Sequence, residues 1–103
     1  MYPALHKDLM KRLRGISPDM VVFVGVGNRM RGDDAIGPAL IDLIKGRVPH
    51  AIDADGAPEN VTSAIRRLEP AVIVFLDAAS LGEAAGSARI VEAGEMEKLG
   101  SSV

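Results

Sequence analysis

The sequence predicts an α/β domain: three layers, αβα, built around a mainly parallel twisted sheet. Three observations carry this. Apolar stretches of strand length alternate with amphipathic stretches of helix length, in the order helix, strand, helix, strand, helix, strand. Alternation of this kind argues for parallel strands joined by right-handed crossovers. The connections are only a few residues long. The first strand candidate is a nearly continuous apolar run rather than an alternating one, as in a strand covered on both faces.

The elements follow in order. Residues 2–14 read as a helix: Leu5, Leu9 and Leu13 form one stripe with Met10 beside it, the spacing of an amphipathic helix. Gly15 suits its C-terminal cap and Pro18 its stop. The basic residues on the other side read as a solvated face. Residues 20–26 are the first strand. Pro38 then fits the first position of a helix, with Gly37 before it. Leu40, Ile41, Leu43 and Ile44 supply its apolar side, and Gly46 fits just past its end. Residues 48–53 are a weaker second strand. Pro58 opens the next helix, with Glu59 favourable in its first turn. Val61, Ala64, Ile65 and Leu68 give it an apolar face, and Pro70 stops it. Residues 71–76 are the third strand. Residues 89–92 suggest a short edge strand, and 95–99 a single helical turn.

Length and composition bound the function. A chain of 103 residues is one domain, here 1–103, with 1–18 as an N-terminal helical extension and 20–103 as the core. Only Tyr2, Phe23 and Phe75 are aromatic, so Leu, Ile, Val and Ala must fill the interior. A formal charge of −2 argues against a general nucleic-acid binder. The absence of cysteine excludes disulfides, thiolate zinc sites, iron–sulfur clusters and cysteine nucleophiles within it. That fits a cytoplasmic location. No apolar run approaches the roughly 18 residues needed to span a bilayer. Charges at Lys7, Asp8, Lys11, Arg12 and Arg14 interrupt any signal-peptide core.

The unusual residues fall where a ligand is expected, at the carboxyl ends of the strands. After strand one comes a glycine-rich turn, Gly25-Val26-Gly27-Asn28-Arg29-Met30-Arg31-Gly32-Asp33-Asp34. Asp53 and Asp55 follow strand two, and Asp77 follows strand three. Glycines let a backbone bend tightly and let another group come close. Two adjacent carboxylates repel phosphate and suit a cation. Oxygen ligands alone suit Mg²⁺ or Mn²⁺; an added imidazole suits Zn²⁺ or Ni²⁺.

Each residue also has a plainer reading. Asp33 or Asp34 could cap the next helix, and Asp77 a turn. Asp53 or Asp55 could form a turn ahead of Pro58, or hold a ribose hydroxyl in a dinucleotide fold. Arg29 and Arg31 read first as solvated loop charges, and otherwise as contacts for a phosphate or a substrate carbonyl. Met30 between them is an apolar side chain on a loop tip, packed inward or offered to a partner. His6 and His50 read as structural or exposed. Ser80 lies close after Asp77, but no nucleophile turn or suitable His accompanies it.

Taken together, the motifs resemble a family. Gly25-Val26-Gly27-Asn28, then Gly32-Asp33-Asp34-Ala35-Ile36-Gly37-Pro38, is similar to the opening motif of the [NiFe]-hydrogenase maturation endopeptidases. Asp53, with Gly56-Ala57-Pro58-Glu59-Asn60, resembles the family's second motif, in the version serving formate-hydrogenlyase and archaeal hydrogenases. Leu76-Asp77-Ala78 resembles the third. The likeness runs over about residues 20–99, making 20–103 a protease-like core.

The resemblance implies an enzyme that removes a C-terminal extension from the nickel-loaded precursor of the hydrogenase large subunit. Its metal-binding acids map to Asp34 and Asp77, and Asp53 matches an aspartate linked to activity. The nickel implied is that of the substrate, with zinc or another divalent metal able to substitute. The precursor is the implied partner, with neither nucleic acid nor membrane. Two departures stand out. Ala54 and Asp55 occupy positions that are usually glycine. The family's third ligand, a histidine, should fall beyond Val103, so a truncated chain is expected, with a sheet incomplete at its C-terminal side. Two rival readings are a dinucleotide-binding Rossmann-like module, and a non-catalytic fragment that binds a hydrogenase precursor.

Overall fold

A computed structural model describes residues 3–28, 30, 32–54, 58–78 and 90, with backbone alone at Pro3, Asp33, Asp34 and 58–60. Helix α1 spans Pro3–Leu13, strand β1 Val21–Gly25, helix α2 Ile36–Ile44, strand β2 Ala51–Asp53, helix α3 Pro58–Leu68 and strand β3 Val72–Leu76. Short 3-10 turns at Pro18–Met20 and Gly32–Ala35 lead into β1 and α2. The strands form an open parallel sheet in the order β2-β1-β3.

Strand β1 lies in the middle, which explains its uninterrupted apolar sequence. Val21, Val22 and Val24 are all buried, so both of its faces are covered. Alternation along the strand sends Val22 and Val24 to one face and Val21, Phe23 and Gly25 to the other. On the first face Val22 and Val24 pack with Val61 of α3, and Ile52, Ala54, Ile65 and Leu68 complete that core. On the second face a methyl group built on Gly25 would run into Ile41 of α2. Helices thus cover both sides of the sheet, the three layers expected. In β3, Ile73 and Phe75 are in register with Val22 and Val24. They are 38% and 44% exposed, because α3 sits over β1 and β2 rather than over them.

Helix α1 presents Leu5, Leu9 and Leu13 half-buried, as its spacing predicts. Asp8 and Arg12 pair at 2.9 Å on its exposed side, an arrangement that contributes little in water. Gly15 has φ +78°, the left-handed conformation of a helix C-cap. Met10, Leu13, Ile16, Val21, Phe23 and Val48 line a cleft of about 350 Å³ between α1 and the amino ends of the strands.

Several boundaries differ from expectation. Helix α2 begins at Ile36, so Pro38 is its third residue and not its first. The 3-10 turn at Gly32–Ala35 runs straight into the helix, and Pro38 still falls among the first residues, whose N–H groups lack intrahelical partners. Strand β2 is three residues long, not six. The chain bends through Val48 and Pro49, and Pro49 has no N–H to give the ladder. Pairing starts where Phe23 donates its N–H to the His50 carbonyl at 3.0 Å. Glu69, at φ +47°, takes the left-handed position after α3 that glycine usually fills. The expected strand at 89–92 and helical turn at 95–99 lie outside the described residues, except that Ile90 has no regular structure.

Candidate functional site

The carboxyl edge of the sheet is built on Gly25 and Val26. Gly25 is in register with Asp53 on one side and with Leu76 on the other. The Ala54 N–H donates to the Gly25 carbonyl at 2.9 Å, and the Val26 N–H donates to the Leu76 carbonyl at 2.9 Å. These two rungs fix the positions of Asp53 and Asp77, one strand away from β1 on either side. Adjacent strands lie about 4.8 Å apart, so the two aspartate backbones are separated by roughly 10 Å across β1. Both side chains are half-buried, and both take part in interactions with neighbouring groups.

Gly37 sets the helix on this edge. A methyl group built on it would lie 2.7 Å from the Val26 N and would overlap the carbonyl oxygens of Val26 and Leu76. The first turn of α2 is therefore pressed against the ends of β1 and β3. Sequence reasoning took Gly37 only as the residue before a helix. Its one signal was its place in the long first motif.

Asp33 and Asp34 lie in the 3-10 turn, and their side chains are outside the described residues. The residue that caps α2 is Ala35, with no side-chain capping bond. Neither aspartate holds the cap position of α2 itself. Gly27 and Gly32 have φ of +141° and +45°, so the loop uses glycine where the chain turns. Asp55, Arg29, Arg31 and Ser80 lie outside the described residues.

The histidines stay away from the acids. His6 is exposed on α1. His50 precedes β2 at the end opposite Asp53, three residues or about 10 Å away. The apolar cleft beside Phe23 is likewise at the amino ends of the strands. The acids and the cleft thus occupy opposite edges of the sheet. The described donors at the carboxyl edge are carboxylates. Among the described residues no group of three or more His, Cys, Asp or Glu is placed to share a metal ion.

The parallel α/β sheet thus carries Asp53 as the last residue of its second strand, Asp77 just after its third, and Asp33 and Asp34 in the loop after its first. The sequence has relatives among hydrogenase maturation proteases, which bears out the family resemblance of the motifs. The chain is 37% identical, over 76% of its length, to the hydrogenase 3 maturation protease of Escherichia coli K12, and equally to that of Escherichia coli O157:H7. It is 24% identical, over 74% of its length, to a Methanocaldococcus jannaschii protein provisionally named a hydrogenase maturation protease. It spans about half the length of these curated relatives, 52% of each. No family model and no solved structure matches the chain. No helix among the described residues is long and apolar enough to cross a membrane.

Proposed function

We propose that this chain is the metal-recognising part of an endopeptidase that matures a [NiFe]-hydrogenase in the cytoplasm. Its substrate is the nickel-loaded precursor of the large subunit, from which it removes a C-terminal extension. The observation that carries the reading is the register at Gly25, which sets Asp53 and Asp77 on either side of β1 at the edge that also bears Asp34. The names of the relatives support a proteolytic role in hydrogenase maturation.

In this reading nickel belongs to the substrate. Asp34 and Asp77 offer it carboxylate oxygens and so place the adjoining peptide over the edge. Zinc or another divalent ion would occupy the same oxygens. Asp53 accepts a proton from the attacking water, whose oxygen bonds to the scissile carbonyl carbon. The C–N bond then breaks, and the proton passes to the leaving amine. A carboxylate in this role commonly contributes a factor of about 10²–10⁴. The dinucleotide reading fares worse, because an acidic 3-10 turn stands ahead of α2, where a pyrophosphate would sit.

Incubation of the nickel-loaded precursor with the chain, followed by mass spectrometry of the intact large subunit, tests the proposal. Shortening at the C-terminus is expected, and its loss with Asp34→Ala or Asp77→Ala. Binding of NAD(H), unaffected by Asp34→Ala, with no shortening of the precursor, would overturn it.

A further inference from the structure

Met30 is 90% exposed, more than any other large apolar side chain among the described residues, whose next value is 72% at Leu43. An isolated apolar residue on a surface needs no explanation. Met30, however, shares its loop with the acids at 33 and 34, and the same loop ends at Ile36, itself 46% exposed. The exposure has a backbone cause. The Met30 N–H donates to Asn28 Oδ1 at 2.8 Å, closing a tight turn at the loop tip. Both loop ends are fixed, one by the Val26–Leu76 hydrogen bond and the other by the seating of Gly37. The tip is thus carried at the acidic edge with an unbranched, adaptable apolar side chain in solvent, and such side chains suit the packing of varied partners.

We infer that Met30 is a specificity contact: it receives an apolar side chain of the peptide segment brought to the acidic edge. This rests on the endopeptidase reading above. The segment it takes therefore presents an apolar side chain at that position. The acids select for the cation and Met30 for the chain beside it.

The test uses the full chain and the nickel-loaded large-subunit precursor, with Met30→Leu, Met30→Ser and Met30→Glu, and Leu43→Ser as an exposed control. Met30→Leu and Leu43→Ser should match the parent. Met30→Ser should raise KM about tenfold with kcat unchanged, the scale of one lost apolar contact, and Met30→Glu should raise it further. Unchanged KM in both variants, with cleavage intact, overturns this inference and leaves the endopeptidase reading standing. A parent that neither cleaves nor binds the precursor overturns both. If the parent binds without cleaving, the affinities of the same variants decide by the same criterion. Should Met30→Ser abolish a dimer of the chain and leave KM alone, the contact is between copies and the inference fails.

Discussion

Gly25 and Gly37 meet across the contact between β1 and α2 with no space for a side chain on either. A methyl group built on Gly25 would lie 2.6 Å from the Gly37 carbonyl oxygen, and one built on Gly37 would strike the backbone of Val26. Two opposed effects act on Gly37→Ala. Alanine gains about 1 kcal/mol of helix propensity, but the obstructing atoms are backbone and cannot swing aside. Overpacking should win. Gly37→Ala and Gly25→Ala should each lose about 1–3 kcal/mol, read as a lower urea midpoint. Gly46→Ala is the control. Nothing lies within 4 Å of its added methyl, so it should be neutral or slightly stabilising.

The acids should separate stability from activity. Asp53→Asn and Asp77→Asn preserve shape and some hydrogen bonding while removing the charge. Each should leave the thermal midpoint within a few degrees of the parent and reduce precursor cleavage by about 100-fold or more. A variant that unfolds instead would mark that aspartate as structural.

Glu69 offers a stabilising change. Its φ of +47° costs a residue with a side chain about 1–2 kcal/mol. Glycine removes that cost but adds freedom to the unfolded chain, about 0.4–1 kcal/mol. Glu69→Gly should therefore gain up to about 1 kcal/mol, observed as a rise of several degrees in Tm.

Burial ranks the apolar substitutions. Val24 is fully buried, whereas Leu43 is 72% exposed. Val24→Ala should cost about 2 kcal/mol through lost burial and the cavity left behind. Leu43→Ala should stay within about 0.5 kcal/mol. Denaturant unfolding of the pair gives the comparison directly.

Most of the architecture was legible in the sequence because the apolar runs are long and clearly periodic. The α1 stripe, the two-faced burial of β1 and the Pro58 start of α3 all follow from residue spacing. The misplaced boundaries share a cause. Proline marks a helix start loosely, since any of the first residues tolerates it, so Pro38 pointed two residues too late. Pattern at 48–50 suggested strand, but ladder geometry begins only at His50. The candidate site was legible as aspartates at the carboxyl ends of strands. Their register was not, because pairing depends on partners far along the chain. Gly37 shows the limit most clearly. A glycine required by a close tertiary approach has the same sequence appearance as one that merely permits a turn.

The pinned loop between β1 and α2 has a thermodynamic meaning of its own. A flexible segment that must be caught and closed around a ligand loses freedom at the moment of association, and affinity falls accordingly. Here the ends are held by a hydrogen bond at Val26 and by the contact of Gly37 with both strand termini. The entropy of closing the loop is thus lost once, when the domain folds.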